Sequence, residues 1–137
     1  MIRFRVYGIP QTKGSTRAFF RPGMRYPVIT NDNPKNKSWA LCVSEEAAKH
    51  RPSALLLGPV RLTLVFHLAK PKSLPKRKPS WPVKKPDLSK LTRSAEDALT
   101  GIIWRDDSQV VESTQRKLYS DVPGVEIQIE PTEDKQP

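Results

Sequence analysis

Pro86-Asp87-Leu88-Ser89-Lys90-Leu91-Thr92-Arg93-Ser94-Ala95-Glu96-Asp97-Ala98-Leu99-Thr100-Gly101, followed by Ile102-Ile103-Trp104-Arg105-Asp106-Asp107-Ser108-Gln109-Val110-Val111, is the stretch on which the fold turns. Pro86 disfavours helix for Lys85 and closes the loop before it. Asp87 is a good N-cap, its carboxylate suited to accept the free N–H groups of a first turn. At 3.6 residues per turn Leu88, Leu91, Ala95, Ala98 and Leu99 share one apolar arc, and Gly101 suits the helix end. The opposite side carries Ser89, Arg93 and Glu96 as one stripe, with Lys90, Ser94 and Asp97 beside it. Asp106 and Asp107 follow in a loop that leads into a β-like run.

Outward from this helix the chain alternates. Ile2 to Gly8 places Ile2, Phe4 and Val6 on one side of a strand, and Pro59 to Lys70 does the same with Val60, Leu62, Leu64, Phe66 and Leu68. Lys37 to His50 reads as a helix whose apolar residues are Trp39, Leu41 or Cys42, Val43 and Ala47. Gln109 to Tyr119 and Gly124 to Glu130 read as two strands joined by the turn Asp121-Val122-Pro123-Gly124. The order β-α-β-α-β-β predicts a small single α+β domain, a mixed β-sheet with packed helices, over residues 1–130, with 131–137 a frayed polar tail.

The chain has 137 residues, a net charge of +10 and one cysteine, Cys42. A single cysteine excludes an internal disulfide and a thiolate zinc cluster. No apolar run is long enough to cross a membrane, so the reading is cytoplasmic, with no membrane partner. The positive charge calls for a polyanion, and nucleic acid leads. Two segments concentrate it. The long connection after Ile9-Pro10 interleaves Lys13, Arg17, Arg21 and Arg25 with Phe19, Phe20 and Tyr26, where aromatics can stack on bases and cations meet phosphates. Pro71 to Pro86 sets Lys72, Lys76, Arg77, Lys78, Lys84 and Lys85 among prolines, with Trp81 between them. The plainer alternatives are aromatics tucked on the core and a solvated linker.

Against this field, five carboxylates in one run (Asp87, Glu96, Asp97, Asp106 and Asp107) suit a hard divalent cation beside a phosphate. His67, on the outer face of its strand, reads as an ordinary surface histidine, and His50 as a helix C-terminal residue suited to the dipole. Trp104 reads as a core or dimer-contact residue. Asp97 reads as structural, paired with Arg93 one turn back.

The run Asp87-Leu88-Ser89-Lys90-Leu91-Thr92-Arg93, then Asp97-Ala98-Leu99, then Asp106-Asp107-Ser108-Gln109-Val110, resembles RusA-type Holliday-junction resolvases of bacteria and phages. Their pattern is Asp-x-Asp-Asn-x-x-Lys opening a helix, then Asp-Ala-Leu, then Asp-Asp followed by Gln and an aliphatic residue. The resemblance is strong over about residues 85–111. It is weaker over the first strand and Val122 to Ile127.

It implies a magnesium-dependent endodeoxyribonuclease, with manganese a possible substitute, that cuts four-way DNA junctions by paired nicks as a homodimer. No protein partner is inferred. Metal ligands fall on Asp87 and the Asp106-Asp107 pair, Asp107 being the stronger of the two. Arg93 fills the lysine position; a guanidinium stabilises charge but does not release its proton. Lys13, Arg17, Lys76, Arg77, Lys78, Lys84, Lys85 and Lys90 are the expected DNA contacts. Ser89 replaces the pattern's second aspartate and Lys90 its asparagine. Glu96 is a candidate to restore the lost carboxylate, although seven residues of helix rise about 10 Å and it must reach the ion from another direction; the alternative is a surface pair with Arg93. Two rival activities follow: a nuclease with broader branched-DNA or flap preference, and a non-catalytic DNA-binding relative disabled by Ser89.

Overall fold

The alternating segments become a four-stranded sheet in the order β1-β6-β4-β5. The computed structural model describes residues 1–13, 16–19, 22–23, 25–26, 28–31, 35–75 and 79–136, with the backbone alone at 16–19 and 28–31. The elements are β1 (Ile2–Tyr7), β2 (Thr16–Phe19), β3 (Val28–Asn31), α1 (Asn36–Lys49), β4 (Val60–Leu68), α2 (Leu88–Leu99), β5 (Val110–Tyr119) and β6 (Gly124–Pro131). This is the expected α+β domain with a mixed sheet and two helices. The addition is the antiparallel β2–β3 hairpin, within the connection read as a loop.

β6 pairs antiparallel with both β1 and β4, so Ile127 lies between Phe4 and Leu64. β4 pairs parallel with β5. The turn at 121–124 therefore does not join neighbours: β4 lies between β5 and β6. Close approach explains Gly124, since a Cβ there would collide with the Val6 carbonyl of β1.

One face of the sheet is apolar because the period-2 pattern puts Phe4, Val6, Val60, Leu62, Leu64, Phe66, Val125, Ile127 and Ile129 there, all buried. Both helices cover that face. α1 offers Trp39, Val43 and Ala47, spaced one turn apart; Leu41 and Cys42 are exposed, so neither contributes to the core. α2 offers Leu91, Ala95, Ala98 and Leu99, with Leu88 partly buried. Ser94, placed by periodicity on the polar side, is buried instead and donates a hydrogen bond to Asn36 Oδ1 on α1. Ser44 Oγ donates to the Ala98 carbonyl, a second polar link between the helices.

Gly101 follows α2 with φ of 86°, the left-handed conformation glycine adopts freely at this position. Trp104 is fully buried and donates through Nε1 to Thr100 Oγ1 at 2.9 Å, which makes it a core residue. Among the described residues no helix is long and apolar enough to cross a membrane.

Candidate active site

β4 and β5 run parallel, so the segment between them must cross over, and α2 is that crossover. A crossover helix runs opposite to the strands it joins, and this sorts the acidic residues. Asp87 stands at the start of α2, while Asp107, just ahead of β5, arrives at the helix's far end. From Asp87 to Glu96 the helix rises about 13 Å.

At the start, Asp87 holds the N-cap position in extended backbone (φ −72°, ψ 133°), yet its side chain makes no capping hydrogen bond. The expected capping contact is therefore absent. The carboxylate is half exposed and lies 3.8 Å from Lys90 Nζ. Behind it, Lys117 Nζ reaches from β5 and donates to the carbonyls of Lys84 and Pro86, each at 2.9 Å. The Lys85–Pro86 peptide bond between them is cis.

At the far end four carboxylates, Glu96, Asp97, Asp106 and Asp107, share one electrostatic neighbourhood. Burial first, then the charges of Asp107 and Asp97, push the Glu96 carboxyl above its ordinary value, against a smaller opposing effect of Arg93. Asp107 is raised by its hydrogen bond to Asp106, then by burial and by the charges of Asp106 and Asp97. Asp106 moves the other way, lowered first by the backbone N–H of Ser108.

That difference has a structural origin. Asp106 caps the short 3-10 turn Asp107–Gln109, accepting from Ser108 N at 3.0 Å, while the Gln109 side chain returns the favour. Gln109 Oε1 accepts from the N–H groups of Arg105 (3.0 Å) and Asp106 (2.8 Å), and its Nε2 donates to the carbonyls of Leu56 (2.7 Å) and Gly58 (2.9 Å). One amide thus ties the Asp106-Asp107 turn to the segment before β4. Asp106 is committed to the turn, and Asp107 is left to act outward.

Asp97 does not take Arg93 as its partner. Lys13 Nζ lies 2.6 Å from Asp97 Oδ2, and Lys13 N donates to the Lys90 carbonyl at 3.4 Å. The segment after β1 is therefore laid along α2. Ser89 and Arg93 are exposed on the helix face between the two ends.

Of the expected DNA contacts, Lys84, Lys85 and Lys90 are exposed around Asp87. Lys13 belongs to the acidic end. Lys76, Arg77 and Lys78 and the Arg17 side chain lie outside the described residues. His67 is not a surface residue: its side chain is 13% exposed and lies 3.6 Å from Glu126 on the sheet's open face. His50 closes α1 as expected, stacks on Phe4 at 4.8 Å and meets Glu46 at 3.3 Å. A cleft of about 960 Å³ beside Arg61 and Glu112 is lined by none of the five carboxylates.

Among the described residues no three acids, histidines or cysteines of one chain converge on a common ion. Lys117 and the Lys13–Asp97 pair escaped the sequence reading because they depend on which segments adjoin in three dimensions. Gln109 carried a signal, its place just after the Asp-Asp pair.

A family model described as endodeoxyribonuclease RusA matches residues 10–130. A Bacillus subtilis (strain 168) protein called uncharacterized protein YqaN is 34% identical to this chain over 137 residues, covering 93% of this chain and 94% of that protein.

Proposed function

Because the chain belongs to the RusA endodeoxyribonuclease family, we propose that it is a divalent-metal-dependent endonuclease that resolves four-way DNA junctions by paired nicks, and that its metal site is shared between two protomers. The observation that carries the second half is the separation of Asp87 from Glu96, Asp97 and Asp107 by most of the length of α2. Among the described residues of one chain, no three acids, histidines or cysteines converge on one ion at either end. A two-fold dimer that sets the Asp87 end of one protomer against the Asp107 end of the other brings them together twice.

The donor set fits a hard cation. Asp87 keeps its carboxylate free of capping, and Glu96 and Asp107 repel each other where they stand. We assign Asp87, Asp107 and Glu96 as ligands, Glu96 offsetting the absence of a carboxylate at Ser89. It does so from the opposite end of the helix, which the dimer makes useful. Asp106 orients the turn. Magnesium, or manganese in its place, supplies Lewis-acid activation of water and neutralises phosphate charge. Arg93, exposed between the two ends, stabilises charge on the scissile phosphate without exchanging a proton. Lys84, Lys85 and Lys90 hold flanking phosphates, together with the polybasic Lys76, Arg77 and Lys78 and the Lys13–Arg17 segment.

The test is a magnesium-titrated cleavage assay on junction, flap and duplex DNA. Paired nicks confined to the junction support the reading, and equal cutting of flaps selects the broader nuclease. Binding without cleavage at any metal concentration selects a non-catalytic relative. Mixing inactive Asp87→Asn with inactive Asp107→Asn settles the shared site. Heterodimers then hold one intact site and nick one strand, whereas a site built within a single chain regains nothing.

A further inference from the structure

We propose that Lys117 is the positioning residue for the Asp87 carboxylate, an inference that rests on Asp87 being a metal ligand. Lys117 lies on the helix-covered side of β5, in register with buried Phe66 of β4. From there its ammonium donates to two carbonyls, those of Lys84 and Pro86, at 2.9 Å each. Pro86 is the residue immediately before Asp87. The Asp87 side chain makes no capping hydrogen bond and only a half-exposed 3.8 Å ion pair with Lys90, so where its carboxylate sits follows chiefly from the backbone that Lys117 grips. The chain arrives at this point from the long Pro71–Val83 connection, where Trp81 and Val83 are 65% and 86% exposed. Of the described residues just before α2, Pro82 is buried but Trp81, Val83, Lys84 and Lys85 are exposed, so side-chain packing fixes few of them. Hydrogen bonds to a charged donor are stronger than neutral ones, and two from one ammonium define a direction as well as a distance. Two anchors thus flank the crossover: Gln109, immediately before β5, for the Asp107 turn, and Lys117, on β5, for the Asp87 turn.

The experiment measures Mn²⁺ binding to the DNA-free protein by electron paramagnetic resonance of free Mn²⁺, beside thermal unfolding and junction cleavage. Loss of a residue that orients a ligand weakens metal binding by about tenfold. Lys117→Met and Lys117→Gln are expected to do so, with Tm and junction affinity unchanged, and Lys117→Arg, which can reach both carbonyls, to restore it. Wild-type Mn²⁺ binding in the neutral variants, with Asp87→Asn weakened, overturns the role of Lys117 alone. Wild-type binding in Asp87→Asn overturns the ligand reading itself. Weakening that follows a fall in Tm in both neutral variants assigns Lys117 to stability and also overturns the proposal.

Discussion

Lys13 and Asp97, 84 positions apart in sequence, meet at 2.6 Å and fasten the segment after β1 to the acidic end of α2. Their side chains are 43% and 40% exposed, so solvent screens most of the attraction. An exposed pair of this kind contributes up to about 1 kcal/mol. Asp97→Asn is expected to lower the unfolding free energy by no more than that in urea, and a double-mutant cycle with Lys13→Met should show the coupling vanish at about 1 M salt, where the screening length is about 3 Å. A coupling that persists in high salt contradicts the electrostatic account.

The Glu96 carboxyl sits above its ordinary value of 4.5, so the fold favours its protonated form. The sign follows from linkage: stability contributed by the neutral carboxyl is full below pH 4.5 and is lost as pH rises through the higher folded-state value. With divalent ions chelated, Glu96→Gln should therefore have a higher Tm than the wild type at pH 7, and the gap should close in acid. A gap that widens in acid refutes the assignment. With magnesium present the same variant should lose cleavage by about a hundredfold while binding the junction in calcium unchanged; full retained activity removes Glu96 from the site.

Gln109 makes four hydrogen bonds through one amide. Replacing it with Leu removes all four; three of them are exposed, so water takes their place and the cost is about 1–2 kcal/mol. The expected outcome is a lower midpoint in denaturant together with a loss of cleavage, because the Asp107 turn loses its tie. Unchanged stability in Gln109→Leu contradicts the geometry.

Trp39 and Trp104 are buried, whereas Trp81, in the polybasic segment, is 65% exposed. Acrylamide should quench Trp81 selectively, and Trp81→Phe should remove both the quenchable emission and any emission change on titrating junction DNA. A DNA-dependent change that survives in the variant places that segment away from the DNA.

The sequence by itself determined the strands of the main sheet, the two helices and the apolar face of the sheet, though not the β2–β3 hairpin, because side-chain periodicity encodes burial locally. Val60 to Leu68 alternates into the core as read, and the apolar arc of α2 faces the sheet. Two local readings failed for a common reason. Ser94 is polar but finds its partner on α1, and His67 is titratable but is shielded by a neighbouring strand, so both were decided by packing rather than by the residue itself.

The acidic run, too, was visible from sequence as chemistry, with Asp87, Glu96, Asp97, Asp106 and Asp107 set in a basic chain. What only the tertiary structure decided is how they are grouped. Parallel pairing of β4 with β5 makes α2 a crossover, and a crossover helix carries its two ends to opposite ends of the sheet. Asp87 is thereby parted from Asp107, Lys13 is brought to Asp97, and β5 is brought against both turns. Strand direction is a long-range property, set by which edges pair when the whole apolar face is covered, and no stretch of local sequence contains it.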